Sequence, residues 1–218
     1  MRHSVQKLLL VGGVIALVAV TGCVQASVNA DVGADGMIDR YKMNVTMSGD
    51  VHQRLESRAS SQGYDSVGPY LVRDLNDSAI GSKSFATNRH GDQVSTIVTL
   101  SNVDPAGVEQ VSTTKENGTL TYVDRTFKTS SRVSSISSVH YTLEMPGEIT
   151  EASTNDVEGS TAEWHLDEGE IAGTVIRAKS EVSGIGPLAI IVGLVLVGGV
   201  VGGGALAGGA VLYTQVLD

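Results

Sequence analysis

Cys23 is the residue whose chemistry is most sharply placed. It is the lone cysteine of the chain and follows an apolar run in Val20-Thr21-Gly22-Cys23, where an exported lipoprotein precursor is cut and its thiol acylated. The competing reading is an unmodified thiol in an uncleaved N-terminal helix. The histidines offer less. His52, His90, His140 and His165 show no i,i+4 pair and have no cysteine to join, so no metal site is expected. Glu163, His165 and Asp167 alternate on one side of a strand, which reads as a solvated hairpin edge. For acyl transfer the chain has many serines but no Gly-x-Ser-x-Gly elbow, and Asn88-Arg89-His90-Gly91-Asp92 reads as a polar turn. No Gly-rich phosphate loop follows a strand. No catalytic residue, cofactor or enzymatic activity is expected.

Binding chemistry is the other category. Trp164 shares a strand face with Ala162 and Leu166; it suits either the aromatic wall of an amphiphile pocket or ordinary core packing, which large aromatics dominate and which is the favoured reading. Met43, Met47 and Met145, with Met37, could line an adaptable apolar cavity because methionine fills irregular shapes. Core packing is favoured for them too. Asn44-Val45-Thr46, Asn76-Asp77-Ser78 and Asn117-Gly118-Thr119 are acceptor tripeptides for N-glycosylation. Asn117, in a turn, is the most accessible.

Both ends of the chain place these residues outside a membrane. Arg2 and Lys7 precede the apolar residues 8–20, so residues 1–22 read as a lipoprotein-type signal. One lipid chain is a marginal anchor, at about 0.8 kcal/mol per buried methylene, and stable attachment asks for a second signal. Residues 185–213 are expected to supply it as a transmembrane helix, since the uncharged run at 188–213 exceeds the roughly 20 residues a span requires. Residues 214–218 would form a short cytoplasmic tail. Gly198 with Gly202 and Gly204 with Gly208 leave a small-residue stripe on which a second copy could pack. Residues 23–184 would form the extracytoplasmic domain.

The 218-residue chain carries 24 acidic against 15 basic side chains, a formal charge of −9. Removing the signal takes away Arg2 and Lys7 and no acid. Such a surface repels nucleic acid and anionic headgroups, and its composition resembles that of proteins from salt-adapted organisms. With no cysteine after Cys23, the domain has no internal disulfide and must be held by its core.

The periodicities predict an α+β domain: an antiparallel, β-rich sheet with two early helices. Val24, Ala26, Val28, Ala30 and Val32 alternate up to Gly33-Ala34-Asp35-Gly36, and Met37, Asp39, Tyr41, Met43, Val45 and Met47 return. Asp50 would cap a helix bearing Val51, Leu55 and Ala59, closed by Gly63, with a second helix over residues 67–75. Further strands are expected at 93–101, 120–127, 134–144, 149–152, 161–166 and 171–178, with a short capped turn at 104–111.

The order of Cys23 and the first hairpin, Met145-Pro146-Gly147-Glu148-Ile149-Thr150-Glu151-Ala152, Trp164-His165-Leu166 and a closing strand resembles the LppM-type lipoprotein domain family. That resemblance implies an envelope lipoprotein whose β-rich domain resembles lipid- or amphiphile-binding modules, with no enzymatic activity established for the group. The expected role is thus a membrane-anchored surface lipoprotein that binds an amphiphilic envelope component. The alternative is an interaction protein acting through contacts with envelope proteins or a second copy.

Overall fold

The structure is a computed structural model, and it describes residues 24–128 and 136–182. Two strands, β1 (Val24–Val32) and β2 (Ile38–Ser48), form the first hairpin. All five apolar residues that alternate along β1 are buried. In β2 the alternation slips near its start, because Val32 pairs with Ile38 while Asp31 pairs with Arg40. Asp39 is the extra residue of this bulge, and Ile38 turns inward where Met37 and Asp39 were expected to do so.

Helix α1 (Gly49–Ser61) buries Val51, Leu55 and Ala59 together with His52, and Gly63 lies beyond its end at a φ of +84°. Ser48, rather than Asp50, is its N-cap residue. The Gly49 N–H donates to the Asp92 carbonyl at 2.7 Å, so a turn between later strands satisfies the helix start. Helix α2 (Val67–Leu71) ends after five residues, short of the expected boundary at 75.

Nine more strands follow: β3 (Ile80–His90), β4 (Gln93–Val103), β5 (Val111–Glu116), β6 (Thr119–Asp124), β7 (Ile136–Glu144), β8 (Ile149–Ala152), β9 (Asp156–Glu158), β10 (Thr161–Asp167) and β11 (Ile176–Glu181). They form a seven-stranded sheet, β3-β4-β2-β1-β7-β10-β9, and a four-stranded sheet, β5-β6-β11-β8. The β1–β7 pair is parallel; every other pairing among the described residues is antiparallel.

This architecture corrects the expected α+β class. The described fold is β-rich, in two sheets with one parallel pair, and of its three α-helices only α1 exceeds five residues. Among the described residues no helix is long and apolar enough to cross a membrane. The segment 185–213 expected to do so lies outside the described residues, as do Cys23 and the glycine stripe.

Strands β3 and β5 escape a reading based on apolar alternation. Strand β3 is an edge strand, exposed along most of its length, and is held as a strand by its ladder to β4. Its Lys83 and Arg89 are typical of protected edges. Strand β5 runs Val-Ser-Thr-Thr-Lys-Glu and pairs with β6 through the two-residue loop Asn117-Gly118. Both loop residues have positive φ, +50° and +80°, as a hairpin turn of the I′ kind demands. Near the end of the domain, Ile171, expected to open the last strand, instead ends the short helix α3 (Glu168–Ile171), started by a reciprocal Asp167–Glu170 capping box, and the strand begins only at Ile176.

One face of the seven-stranded sheet carries the core. Helices α1 and α2 pack against β2, β3 and β4 on that face, and the four-stranded sheet meets it where Tyr122 of β6 reaches Tyr141 of β7. Their hydroxyls lie 2.7 Å apart, and the Tyr141 hydroxyl donates to Asp124 Oδ2 at 3.0 Å. Asp124 is fully buried, and its Oδ1 accepts the Thr126 N–H at 2.7 Å. Burial pushes the Asp124 carboxyl above its ordinary value, against the pull of these hydrogen bonds and of Arg125.

Candidate functional site

Side chains of the seven-stranded sheet that do not enter the core form an outer face whose rows follow from strand register. One row reads Ser95, Thr46, Gln25, Ser138 and Asp167 across β4, β2, β1, β7 and β10. The next reads Ile97, Asn44, Ser27, His140 and His165, and the third reads Thr99, Lys42, Asn29, Thr142 and Glu163, extended by Asp156 of β9. Ile97 is the only apolar member of these three rows. Such composition identifies a sheet face turned to water or to a polar ligand rather than to another apolar layer.

The β2, β1, β7 and β10 members of the first two rows line an open groove of about 380 Å³, within the size range of small-molecule sites. Its lining includes Gln25, Ser27, Asn44, Thr46, His140 and Asp167. Thr46 Oγ1 and Ser95 Oγ satisfy one another at 2.8 Å. Asn44 Oδ1, by contrast, is buried and has no hydrogen-bond partner among the described residues. It is an acceptor for which a donor is wanting.

At the β10 side the groove borders a cluster of ionisable groups. His140 and His165 are directly opposed on β7 and β10, and their rings stack with centroids 4.3 Å apart and planes 24° from parallel. Glu163 lies on the same face, two residues before His165. Its Oε2 is 3.2 Å from His140 Nε2 and 3.5 Å from His165 Nε2. Asp156 Oδ2 is 3.8 Å from His165 Nε2. The sequence reading placed Glu163, His165 and Asp167 on one face, as found, but had no means of adding His140, which only the β7–β10 register supplies. Asp167 instead caps α3.

The residues singled out as a ligand pocket lie on the opposite face. Trp164 is 3% exposed; its ring meets Tyr141 edge-on at 5.9 Å and its Nε1–H donates to Ser153 Oγ at 3.2 Å. Met47 and Met145 are also packed in the core. Met43 borders an apolar crevice with Ile38, Tyr41, Val98 and Leu100, but its free volume is only about 30 Å³, room for little more than one or two waters. Of the acceptor asparagines, Asn76 and Asn117 are exposed, whereas Asn44 lines the groove. Asn76 Oδ1 is engaged by the Ser78 N–H and hydroxyl.

No family model matches the chain. Among solved structures, the NMR structure of the folded domain of Mycobacterium tuberculosis LppM superposes with a TM-score of 0.46 at 12% identity, over 75% of this chain and 93% of that one. An uncharacterized protein of Archaeoglobus fulgidus is 35% identical over 195 residues, 85% of this chain and 88% of its relative. The chain belongs to the same family as that archaeal protein.

Proposed function

We propose that this protein is a non-enzymatic envelope lipoprotein, attached through Cys23, that receives the polar part of an envelope amphiphile in the groove on the outer face of its large sheet. The observation that carries this reading is the groove itself: an open site of about 380 Å³ lined by amide, hydroxyl, imidazole and carboxylate groups, with Asn44 Oδ1 buried and without a partner among the described residues. Its lining begins at Gln25, two residues after Cys23, so an acyl anchor there would hold the groove close to the headgroup layer. A hydroxyl-rich headgroup suits this lining, since it both donates to amide oxygens and accepts from amide nitrogens. An anionic one is disfavoured by the formal charge of −9.

A second reading has the apolar crevice beside Met43 admitting an acyl chain. Its lining favours that ligand, but its volume of about 30 Å³ is an order of magnitude below the usual size of ligand pockets. Such binding would require α2 and the 105–111 connection to move away from β2 and β4. The two readings separate cleanly. The full-length protein would be purified from its membrane in mild detergent, and its intact mass and co-purifying lipids measured. A headgroup-bearing adduct that disappears in Ser27→Trp and persists in Met43→Trp supports the groove. The reverse pattern supports the crevice. An adduct-free protein that cross-links to an envelope protein through residues of the outer face would replace both with a protein–protein role.

A further inference from the structure

We propose that His140, His165 and Glu163 form a surface site for a divalent transition-metal ion of the zinc class, with Asp156 as an additional oxygen donor. His140 of β7 and Glu163 and His165 of β10 place their potential ligand atoms all within 4.8 Å of one another, and Asp156 of β9 brings its Oδ2 to 3.8 Å from His165 Nε2. Two ligands at zinc's usual bond length of about 2.0–2.1 Å, set at a tetrahedral angle, are separated by roughly 3.3 Å. The two imidazole-to-carboxylate separations are 3.2 and 3.5 Å. The two nitrogen-to-oxygen separations thus already match a tetrahedral edge, and one ion can reach all three donors once the stacked imidazoles turn so that their Nε2 lone pairs converge.

The backbone explains why this arrangement is reproducible. His140 and His165 are a directly opposed cross-strand pair, and Glu163 opposes Asp156 across the next ladder. Register therefore fixes all four Cα positions, without any loop contributing. Two imidazoles and a carboxylate suit zinc, nickel or copper; magnesium and calcium prefer sites built of oxygen alone. All four residues keep substantial exposure, with side chains between 38% and 67% accessible. The ion therefore needs no entry path, and its fourth position is taken by Asp156 or, when Asp156 is displaced, by an outside oxygen.

This inference does not rest on the headgroup reading, although His140 and His165 also line the groove. A metal there would place a positive charge at one wall and could receive an oxygen of whatever occupies it.

The test is calorimetric titration of tag-free full-length protein in detergent with zinc ions, repeated with cobalt(II) so that its visible absorption reports coordination geometry. One equivalent of zinc is expected to bind to the wild-type protein. His140→Ala, His165→Ala and Glu163→Gln should each weaken binding by about 100-fold or more, beyond the roughly 10- to 100-fold that loss of an outer-sphere partner costs. Asp156→Asn should weaken it by about tenfold. The cobalt spectrum should be of the intense tetrahedral type. Thermal unfolding without metal controls for folding and should be unchanged, because these side chains contribute nothing to the core. Absence of zinc binding at 100-fold excess, or binding unchanged in the His140→Ala/His165→Ala double variant, would overturn the proposal. Metal binding with the groove-filling Ser27→Trp would leave the inference intact even if headgroup binding had failed.

Discussion

The two faces of the seven-stranded sheet are made by the same strands and differ in what determines them. On the inner face, residues such as Val28, Met47, Val98, Leu143 and Trp164 are buried against α1, α2 and the smaller sheet. Each is recognisable within its own strand, because apolar residues recur every second position. On the outer face, Ser27, Asn44, His140 and His165 acquire a shared identity only when four strands are aligned. The inner set specifies that there is a sheet, and the outer set specifies what that sheet offers to a ligand.

The largest difference between the faces should appear in stability. Trp164→Ala removes an inner-face ring packed edge-on against Tyr141 and should cost about 3–5 kcal/mol. Denaturant unfolding measures it directly. A loss below about 1 kcal/mol would mean that this part of the inner face is loosely filled, reviving a ligand cavity there. Asp124→Ala should come next, at about 1–3 kcal/mol, because the Tyr141 hydroxyl and the Thr126 N–H would lose their buried acceptor. Asp124→Asn keeps an acceptor oxygen and should restore most of that loss. Equal destabilisation by Ala and Asn would show that the charge, rather than the hydrogen bonding, joins the sheets.

Alternation along single strands was enough to locate β1, β4, β8, β10 and the burial of Trp164, and helical spacing located α1. Strands β3 and β5 carried no such alternation, because an exposed edge and a polar hairpin arm are held by ladder hydrogen bonds rather than by apolar burial. The bulge at Asp39 and the parallel β1–β7 pairing are likewise properties of two chains side by side. One miss did have a local signal: Asp167 and Glu170 stand at capping-box spacing, which could have placed α3 before the last strand. For the candidate site, Glu163 and His165 were legible as sharing a face. His140, which precedes His165 by 25 positions in the sequence, was not, and neither was the unpartnered Asn44 oxygen.

Protonation sharpens the contrast further, because the ionisable groups embedded on the core side respond to pH in opposite directions. Burial holds the Asp124 carboxyl above its ordinary 3.8, so the folded protein keeps that proton to higher pH than the unfolded chain does. Its contribution is fully present below 3.8 and fades as pH rises through the folded value. His52 is the reverse case. It is 2% exposed and neither ring nitrogen has a hydrogen-bond partner among the described residues, though Glu56 Oε2 lies 3.6 Å from Nδ1. Burial lowers its value from 6.5, with Glu56 opposing and Arg89 reinforcing the shift. Its contribution is present above 6.5 and is lost as pH falls through the folded value. Unfolding curves measured from pH 8 down to pH 4 should therefore lose the His52-dependent fall in His52→Phe and retain it in Asp124→Asn. An unchanged fall in His52→Phe would mean that His52 is hydrated in the native state.

The smallest expected effect gives the most direct test of whether the outer face is open. Ile97 is its lone apolar member in the three central rows and is opposed by Asn44 across the β2–β4 ladder. If only water and ligand meet this face, Ile97→Thr exchanges one β-branched side chain for another of similar strand preference. Unfolding free energy should then change by no more than about 0.5 kcal/mol, as at ordinary surface sites. If the segments adjoining the described residues, or a second copy of the chain, cover the face in the native protein, the same substitution replaces a buried ethyl branch by a hydroxyl left without a partner. A loss well above 1 kcal/mol would then follow. Comparing full-length protein at two concentrations identifies the cover: a concentration-dependent loss indicates a second copy, and a concentration-independent one indicates the chain's own segments. Either result would make the groove a contact surface, and the difference between the two faces would become one of partner rather than of exposure.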